Sequence, residues 1–283
     1  MKKIVAVIPA RYKSTRFEGK PLALIMGKPM IKHVYEGVIK SELLSDVIIA
    51  TEDRRIYDVC RDFGANAVMT KDTHQTGTDR IIEAVSGIDA DIVLNVQGDE
   101  PLVNSEIIES LIKPFNESGD ISYTSVKTPI YSYEEFIDPN NVKVIVDKNN
   151  FGIYFSRSPI PYDREKALTL KDFKGIFGYK HLGFYGYTKE FLMEFGKTEM
   201  SYLEKKEMLE QLRAIENGHK IKVETVNIST IPVDVPDDIK KVENFILLKK
   251  SYLLKLNAEI TALFYYLVIP SSKNKKRLSN NEI

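Results

Sequence analysis

Apolar residues in the first half of this chain fall into two alternating registers. Ile4-Val5-Ala6-Val7-Ile8 is a continuous run, as a strand buried on both faces requires, and Val47-Ile48-Ile49-Ala50-Thr51 and Ile92-Val93-Leu94-Asn95-Val96 repeat it. Between these runs the spacing becomes helical. Ile31, Val34, Tyr35, Val38 and Ile39 share one helix face, a second helix over roughly 54–63 stops at Gly64, and Asn104-Ser105-Glu106 opens a third that carries Ile107, Ile108, Leu111 and Ile112. Ala67-Val68-Met69 adds a short strand. This alternation predicts βαβ units on a parallel sheet.

From about residue 121 the texture changes. Segments 121–130, 142–146, 153–156 and 184–187 are aromatic and β-branched, separated by turns such as Asp138-Pro139-Asn140 and Asp147-Lys148-Asn149. The expected fold is α/β: a mostly parallel, Rossmann-like sheet flanked by helices, with a smaller mixed or antiparallel β subregion. Residues 203–217 read as one helix with Gly218 as its stop. Residues 1–249 form the expected main domain, and 250–283 an extra helix and a basic tail. In that segment Leu253, Leu254, Leu256, Ile260, Leu263, Phe264 and Leu267 mark an apolar helix, and Pro270 precedes a tail expected to be disordered. Its longest uncharged run, 260–272, is too short to span a bilayer, so a docking or oligomerisation helix is expected rather than a membrane element.

Charge narrows the function. With 40 basic and 40 acidic residues the chain has no global field to attract nucleic acid or a membrane. The single cysteine, Cys60, cannot form an intramolecular disulfide and reads as a small buried apolar residue. The apolar run after Met1-Lys2-Lys3 is too short for a signal peptide, and a cytoplasmic enzyme is expected.

The positive field is local. Arg11, Lys13, Arg16 and Lys20 fall within ten residues after the first strand, interleaved with Ser14 and Thr15, and Gly19 permits close backbone approach to a ligand. Open α/β sheets bind ligands at the carboxyl ends of their strands, and a triphosphate needs such cations and hydroxyls. A Walker A loop is excluded, because Ser14 stands where its first glycine belongs and Pro21 where its metal-binding hydroxyl belongs. Asn95-Val96-Gln97-Gly98-Asp99-Glu100-Pro101 is a second site at a strand end. Asp99 suits Mg²⁺, which usually takes one or two carboxylates plus phosphate oxygens, while Glu100 orients the turn. A third segment is His74-Gln75-Thr76-Gly77-Thr78-Asp79-Arg80, where Thr78 is a candidate N-cap and Asp79 suits the positive end of a helix.

Taken together these segments resemble the 3-deoxy-manno-octulosonate (Kdo) cytidylyltransferases, in order and spacing across roughly residues 3–247. The resemblance rests on Ile-Pro-Ala-Arg-Tyr-x-Ser-Thr-Arg-Phe at 8–17, Gly-Lys-Pro-Met-Ile at 27–31, Gly-Thr-Asp-Arg at 77–80 and Asn-Val-Gln-Gly-Asp-Glu-Pro-Leu at 95–102. Tyr-Phe-Ser-Arg-Ser-Pro-Ile-Pro at 154–161, Lys-His-Leu-Gly at 180–183, Leu-Glu-Gln-Leu-Arg at 209–213 and Val233-Asp234 continue it. It implies that Arg11, Ser14 and Lys20 hold the phosphates of CTP, and that Gln75, Thr76, Gly77, Asp79 and Arg80 face the nucleotide. It also implies that Asp99 and Asp234 bind Mg²⁺, and that Gln97, Arg157, His181, Tyr185, Glu210 and Gln211 line a sugar-acid pocket. On this resemblance Lys20, Arg11 and Asp99 carry the catalysis and the partners are CTP, Kdo and a second protomer.

Three features depart from the family pattern. Glu18 stands where the family usually carries Pro, Val235-Pro236-Asp237-Asp238 replaces Thr-Pro-Glu-Asp, and the segment after about 250 has no counterpart. The implied reaction is CTP + Kdo → CMP-Kdo + pyrophosphate, for lipopolysaccharide or capsule. The alternatives are the same chemistry on 8-amino-Kdo or another ulosonic acid, and a CTP-binding regulatory protein without turnover.

Overall fold

The computed structural model describes residues 2–165, 172–228 and 230–268, with the backbone alone for Leu253 and residues 256–268. In chain order its elements are β1 (Ile4–Ala10), β2 (Leu24–Ile25), β3 (Lys28–Pro29), α1 (Met30–Val38), β4 (Asp46–Thr51), α2 (Arg54–Asp62), β5 (Asn66–Met69), α3 (Gly77–Val85), β6 (Ile92–Asn95) and α4 (Ser105–Glu117). They continue as β7 (Tyr123–Ile130), α5 (Tyr133–Ile137), β8 (Lys143–Val146), β9 (Gly152–Ser156), β10 (Gly178–Thr188), α6 (Lys189–Phe195), α7 (Tyr202–Glu207), α8 (Gln211–Glu216), β11 (Lys222–Thr225) and α9 (Pro236–Val268).

Strands β11-β7-β10-β6-β1-β4-β5 lie side by side in one sheet, with β8 and β9 attached through β10. β1 pairs in parallel with β4 and β6, and β4 with β5, so the first half of the chain builds a parallel sheet as its apolar runs predict. β10 runs antiparallel to both β6 and β7. The aromatic, β-branched segments therefore extend the central sheet, and only the β8–β9 hairpin stands off it. β2 and β3 form a separate antiparallel pair.

The side-chain period of two explains how β1 is buried. Ile4, Ala6 and Ile8 join Ile31, Val34, Ile56, Cys60 and Leu111 in one core, while Val5 and Val7 join Ile81, Val85, Phe191 and Leu192 in another. The first core lies under α1, α2 and α4 and the second under α3 and α6. Cys60 is fully buried, and that burial pushes its thiol up to about 12, as an inert core residue requires. Asp53 caps α2 and Asn104 caps α4, each accepting a backbone N–H of the first turn.

Three expectations change. The single helix over 203–217 is two helices, because Met208 adopts a left-handed conformation (φ 53°, ψ 49°) between α7 and α8. The N-cap of α3 is Thr76, not Thr78: its hydroxyl accepts from Asp79 N while the Asp79 carboxylate accepts from Thr76 N, a reciprocal capping box. The expected C-terminal helix is the continuation of α9, a single 33-residue helix that runs through the 249/250 boundary. The expected disordered tail lies outside the described residues. Among the described residues no helix is long and apolar enough to cross a membrane.

Candidate active site

The carboxyl ends of β1 and β6 open into a cleft of about 220 Å³ lined by Arg11, Ser14, Arg16, Lys20, Asp99 and Asp234, with Thr76, Gly77, Arg80 and Gln97 on its far wall. Gly98 presses the β6 loop onto the β1 end: a Cβ there would stand 2.7 Å from the Pro9 carbonyl oxygen. Gly19, at φ +69°, turns the basic loop back so that its N–H reaches Tyr12 O at 2.9 Å.

Two carboxylates converge on one cation. Lys20 Nζ lies 2.7 Å from Asp99 Oδ2 and 3.8 Å from Asp234 Oδ1, and Arg16 Nη2 donates to Asp234 Oδ1 at 2.9 Å. Asp234 is delivered by its neighbours. Val233 N donates to Asp99 O at 2.9 Å, and Asp238 Oδ2 accepts from both Asp234 N and Val235 N at 3.0 Å. The departure at 235–238 thus keeps the acid that fixes this turn. Glu18 lies outside the cleft, with Lys13 and Thr15 on the outer side of the loop.

The far wall has its own brace. Arg80 is 4% exposed and pairs with Glu52 Oε2 at 2.9 Å, while Glu52 Oε1 accepts from Tyr12 N at 3.0 Å. One carboxylate therefore ties α3 to the base of the basic loop. Burial lowers the Arg80 pKa, and the Glu52 charge opposes that shift. Glu100 is enclosed beneath Asp99. Burial and then the Asp99 charge push its carboxyl up to about 8, so near neutrality it carries its proton.

A second cavity of about 350 Å³ adjoins the first through Thr76, Gly77 and Gln97, and is lined further by Asn95, Gly183, Tyr185, Glu204 and Glu210. Behind it runs a directed hydrogen-bond chain. Tyr185 Oη donates to Gln211 Oε1 at 3.2 Å, Gln211 Nε2 to His181 Nδ1 at 3.4 Å, His181 Nε2 to Ser125 Oγ at 2.8 Å, and Ser125 Oγ to Phe184 O at 2.9 Å. The Gln211–His181 link requires Nδ1 to be unprotonated and the imidazole therefore neutral, and burial pushes the His181 pKa down to about 3. Arg213 grips Glu204 with two 2.8 Å bonds and reaches Glu210 at 3.1 Å, while Thr78 donates its hydroxyl to Glu210. In one continuous helix residues 204 and 210 would point about 120° apart. The break at Met208 lets both acids meet Arg213.

Of the residues expected at the site, Arg11, Ser14, Lys20, Thr76, Gly77, Arg80, Gln97, Asp99 and Asp234 line the first cavity, and Gln97, Tyr185 and Glu210 the second. His181 and Gln211 stand behind Tyr185, and Asp79 is taken up by the cap. Gln75 is exposed and donates to Thr73 O, away from both cavities. Arg157 also lines neither: its Nε donates to Glu207 O at 2.7 Å and its Nη1 to Pro139 O at 3.1 Å. The sequence reading passed over Glu52, Glu204 and Arg213. Glu52 had a signal, an acid just past the carboxyl end of a buried parallel strand.

The donor set fits a hard divalent ion. Two carboxylates approach within one cation's reach, and among the described residues no group of three or more ligating side chains exists. The protein can therefore supply two oxygens, leaving substrate oxygens and water to complete a shell. A parallel sheet with a basic loop, paired acids and an adjoining polar cavity at its carboxyl edge defines a nucleotidyltransferase.

The comparisons agree and are narrower. The chain matches the cytidylyltransferase family over residues 5–221. It is 48% identical over 244 residues to 3-deoxy-manno-octulosonate cytidylyltransferase from Geotalea daltonii, covering 85% of this chain and 96% of the relative. The enzyme of that name from Geotalea uraniireducens is also 48% identical, over 85% of this chain and 97% of its own. The solved structure of CMP:2-keto-3-deoxy-manno-octonic acid synthetase complexed with CTP superposes with a TM-score of 0.80 at 38% identity, over 87% of this chain and 99% of that one. The chain belongs to the 3-deoxy-manno-octulosonate cytidylyltransferase family.

Proposed function

We propose that this protein transfers the cytidylyl group of CTP to Kdo, releasing pyrophosphate, in a Mg²⁺-dependent reaction. The observation that carries this reading is the meeting of Lys20, Asp99 and Asp234 beneath the basic loop, in a chain 48% identical to Kdo cytidylyltransferases over nearly their whole length. The anomeric oxygen of the sugar acid attacks the α-phosphorus in line. The bond from the α-phosphorus to the bridging oxygen breaks, pyrophosphate leaves toward residues 11–20, and the hydroxyl proton passes to solvent. Arg11, Ser14 and Lys20 hold the phosphates and offset the charge that grows on the leaving group. Asp99 and Asp234 would hold the Mg²⁺, which would supply further charge neutralisation on the phosphate oxygens.

The second cavity is the natural seat of the sugar acid. Gln97, Tyr185 and Glu210 offer hydrogen bonds to its hydroxyls, and Gln211 and His181 hold the Tyr185 ring in place. The same reading makes the enzyme a cytoplasmic homodimer that supplies CMP-Kdo for lipopolysaccharide or capsule. Pyrophosphate release from CTP or UTP with Kdo, 8-amino-Kdo and sialic acid, with and without Mg²⁺, tests it. Turnover should require CTP, Kdo and the metal together. Equal kcat/KM for UTP, a preference for another acid, or undiminished turnover in chelator would refute the corresponding part.

A further inference from the structure

Strand β10 does not run evenly against β7. Leu182 stands opposite Val126 and Tyr185 opposite Ser125, so the register passes over Gly183 and Phe184, and the pairing of β10 with β6 begins only at Tyr185. A bulge of two residues keeps the alternation of faces, where a single extra residue would reverse it. Leu182 and Phe184 accordingly share one core with Val126, while Tyr185 and Tyr187 pack with Tyr123 in the other. Gly183 and Tyr185 both line the second cavity. Ser125 fills the gap that the bulge leaves in the ladder. Its Oγ is fully buried and lies 2.9 Å from Phe184 O, 3.5 Å from Leu182 O and 2.8 Å from His181 Nε2. A serine hydroxyl has one proton, and a carbonyl can only accept. The proton therefore serves the bulge, and the oxygen accepts from His181 Nε2–H. That leaves Nδ1 to take the Gln211 amide proton and Gln211 Oε1 to take the proton of Tyr185. In the opposite sense the Ser125 proton would go to His181 Nε2, the Gln211 amide would have to turn round, and the buried Phe184 carbonyl would lose this donor. The bulge thus selects the direction of the whole chain.

We infer that Ser125 is a positioning residue for the sugar-acid site: it holds His181 in the Nε2–H form, and through Gln211 it turns the Tyr185 proton inward, leaving the phenol oxygen an acceptor toward the second cavity. Ser125 lines neither cavity and acts only through His181, Gln211 and Tyr185. With its proton engaged, the Tyr185 oxygen can meet only a donor. Gln97 is set in the same way, since its Nε2 donates to Asn95 Oδ1 at 3.0 Å and its Oε1 is left to accept. Two such acceptors select the hydroxyls of a polyol and reject a carboxylate or a carbonyl at the same place, because that would oppose acceptor to acceptor. The inference rests on the proposed reaction in one respect, that a sugar acid is what meets the Tyr185 oxygen.

Ring-nitrogen chemical shifts of the full chain, grown with isotope-labelled histidine, report which nitrogen of His181 carries the proton, its signals being those lost in His181→Gln. The native protein and Gln211→Leu should both show the Nε2–H form, because Ser125 sets it. Ser125→Ala should shift the population toward Nδ1–H, and Ser125→Thr, which keeps the hydroxyl, should restore the native pattern. In cytidylyl transfer, Ser125→Ala should raise KM for Kdo about tenfold, the scale of one hydrogen bond, and leave KM for CTP unchanged. Tyr185→Phe should also raise KM for Kdo, and the double variant should be no worse than Tyr185→Phe alone, since Ser125 acts through that hydroxyl. An Nδ1–H form in the native protein, an unchanged tautomer in Ser125→Ala, additive losses in the double variant, or equal rises in both KM values would overturn the inference. If Ser125→Ala does not fold, loss of the Nε2–H form in Gln211→Leu overturns it and retention upholds it. A native protein that turns over CTP with another acid but not with Kdo would refute the proposed substrate, while the tautomer pattern would still decide the role of Ser125.

Discussion

The backbone N–H of Val233 donates to the carbonyl oxygen of Asp99 at 2.9 Å. Val233 is itself fully buried with Ile25, Met30 and Val242, so an apolar anchor and one main-chain bond set the distance between the two acidic segments. Asp99 and Asp234 stand 135 positions apart in sequence, yet both come within 4 Å of Lys20 Nζ. Both carboxylates thus face one cationic position.

If these carboxylates share one Mg²⁺, Asp99→Asn and Asp234→Asn should each lower kcat by about 10²-fold or more, at tenfold per ~1.4 kcal/mol. The double variant should lose far less than the product of the two, because each single change already disables the same ion. Steady-state rates across a Mg²⁺ titration measure this. Multiplicative losses would separate the two acids.

Glu52→Gln keeps an acceptor for Tyr12 N but leaves the buried Arg80 guanidinium without its counter-charge. Breaking such a pair by removing one partner costs about 3 kcal/mol or more. Denaturant unfolding should therefore show Glu52→Gln/Arg80→Met to be more stable than Glu52→Gln alone. A double variant less stable than the single would mean that the pair does not carry the brace between α3 and the basic loop.

His181 adds a pH dependence with a definite sign. Its pKa is about 3 in the fold against an ordinary 6.5, so between these values the unfolded chain binds a proton that the folded chain refuses. Stability from this residue is complete above pH 6.5 and is lost as pH falls toward 3, at up to ~1.4 kcal/mol per pH unit. Urea unfolding from pH 6.5 to 4 should show a shallower fall in His181→Gln than in the native protein. Parallel curves would place the titration elsewhere.

Gly98→Ala should disturb the site directly. The added methyl meets the Pro9 carbonyl oxygen at 2.7 Å, and a backbone atom cannot rotate away as a side chain can. A loss of about 1–3 kcal/mol in stability is expected, with kcat falling because Asp99 is the next residue. Gly87→Ala, where nothing lies within 4 Å, is the control for unfolding and turnover. Equal effects at both positions would remove the close-approach argument.

Much of this protein is legible in its sequence because the information is local. The continuous apolar runs of β1, β4 and β6 can only be buried on both faces, and the loops that follow them carry Arg11, Ser14, Lys20 and Asp99 to one edge. Sequence also places Asn104, whose capping chemistry acts over three residues. Tertiary structure decided what depends on contacts between distant segments. Asp234 reaches the cleft through Val233 and Asp99, and Glu52 braces Arg80 from the next strand. The helical periodicity of 203–217 hid the break at Met208, which brings Glu204 and Glu210 together on Arg213. Arg157, placed in the pocket by its motif, spends its guanidinium on the Glu207 and Pro139 carbonyls instead. A periodic pattern reports which face is buried. What that face meets is set by chain reversals and long-range hydrogen bonds, which leave no period to read.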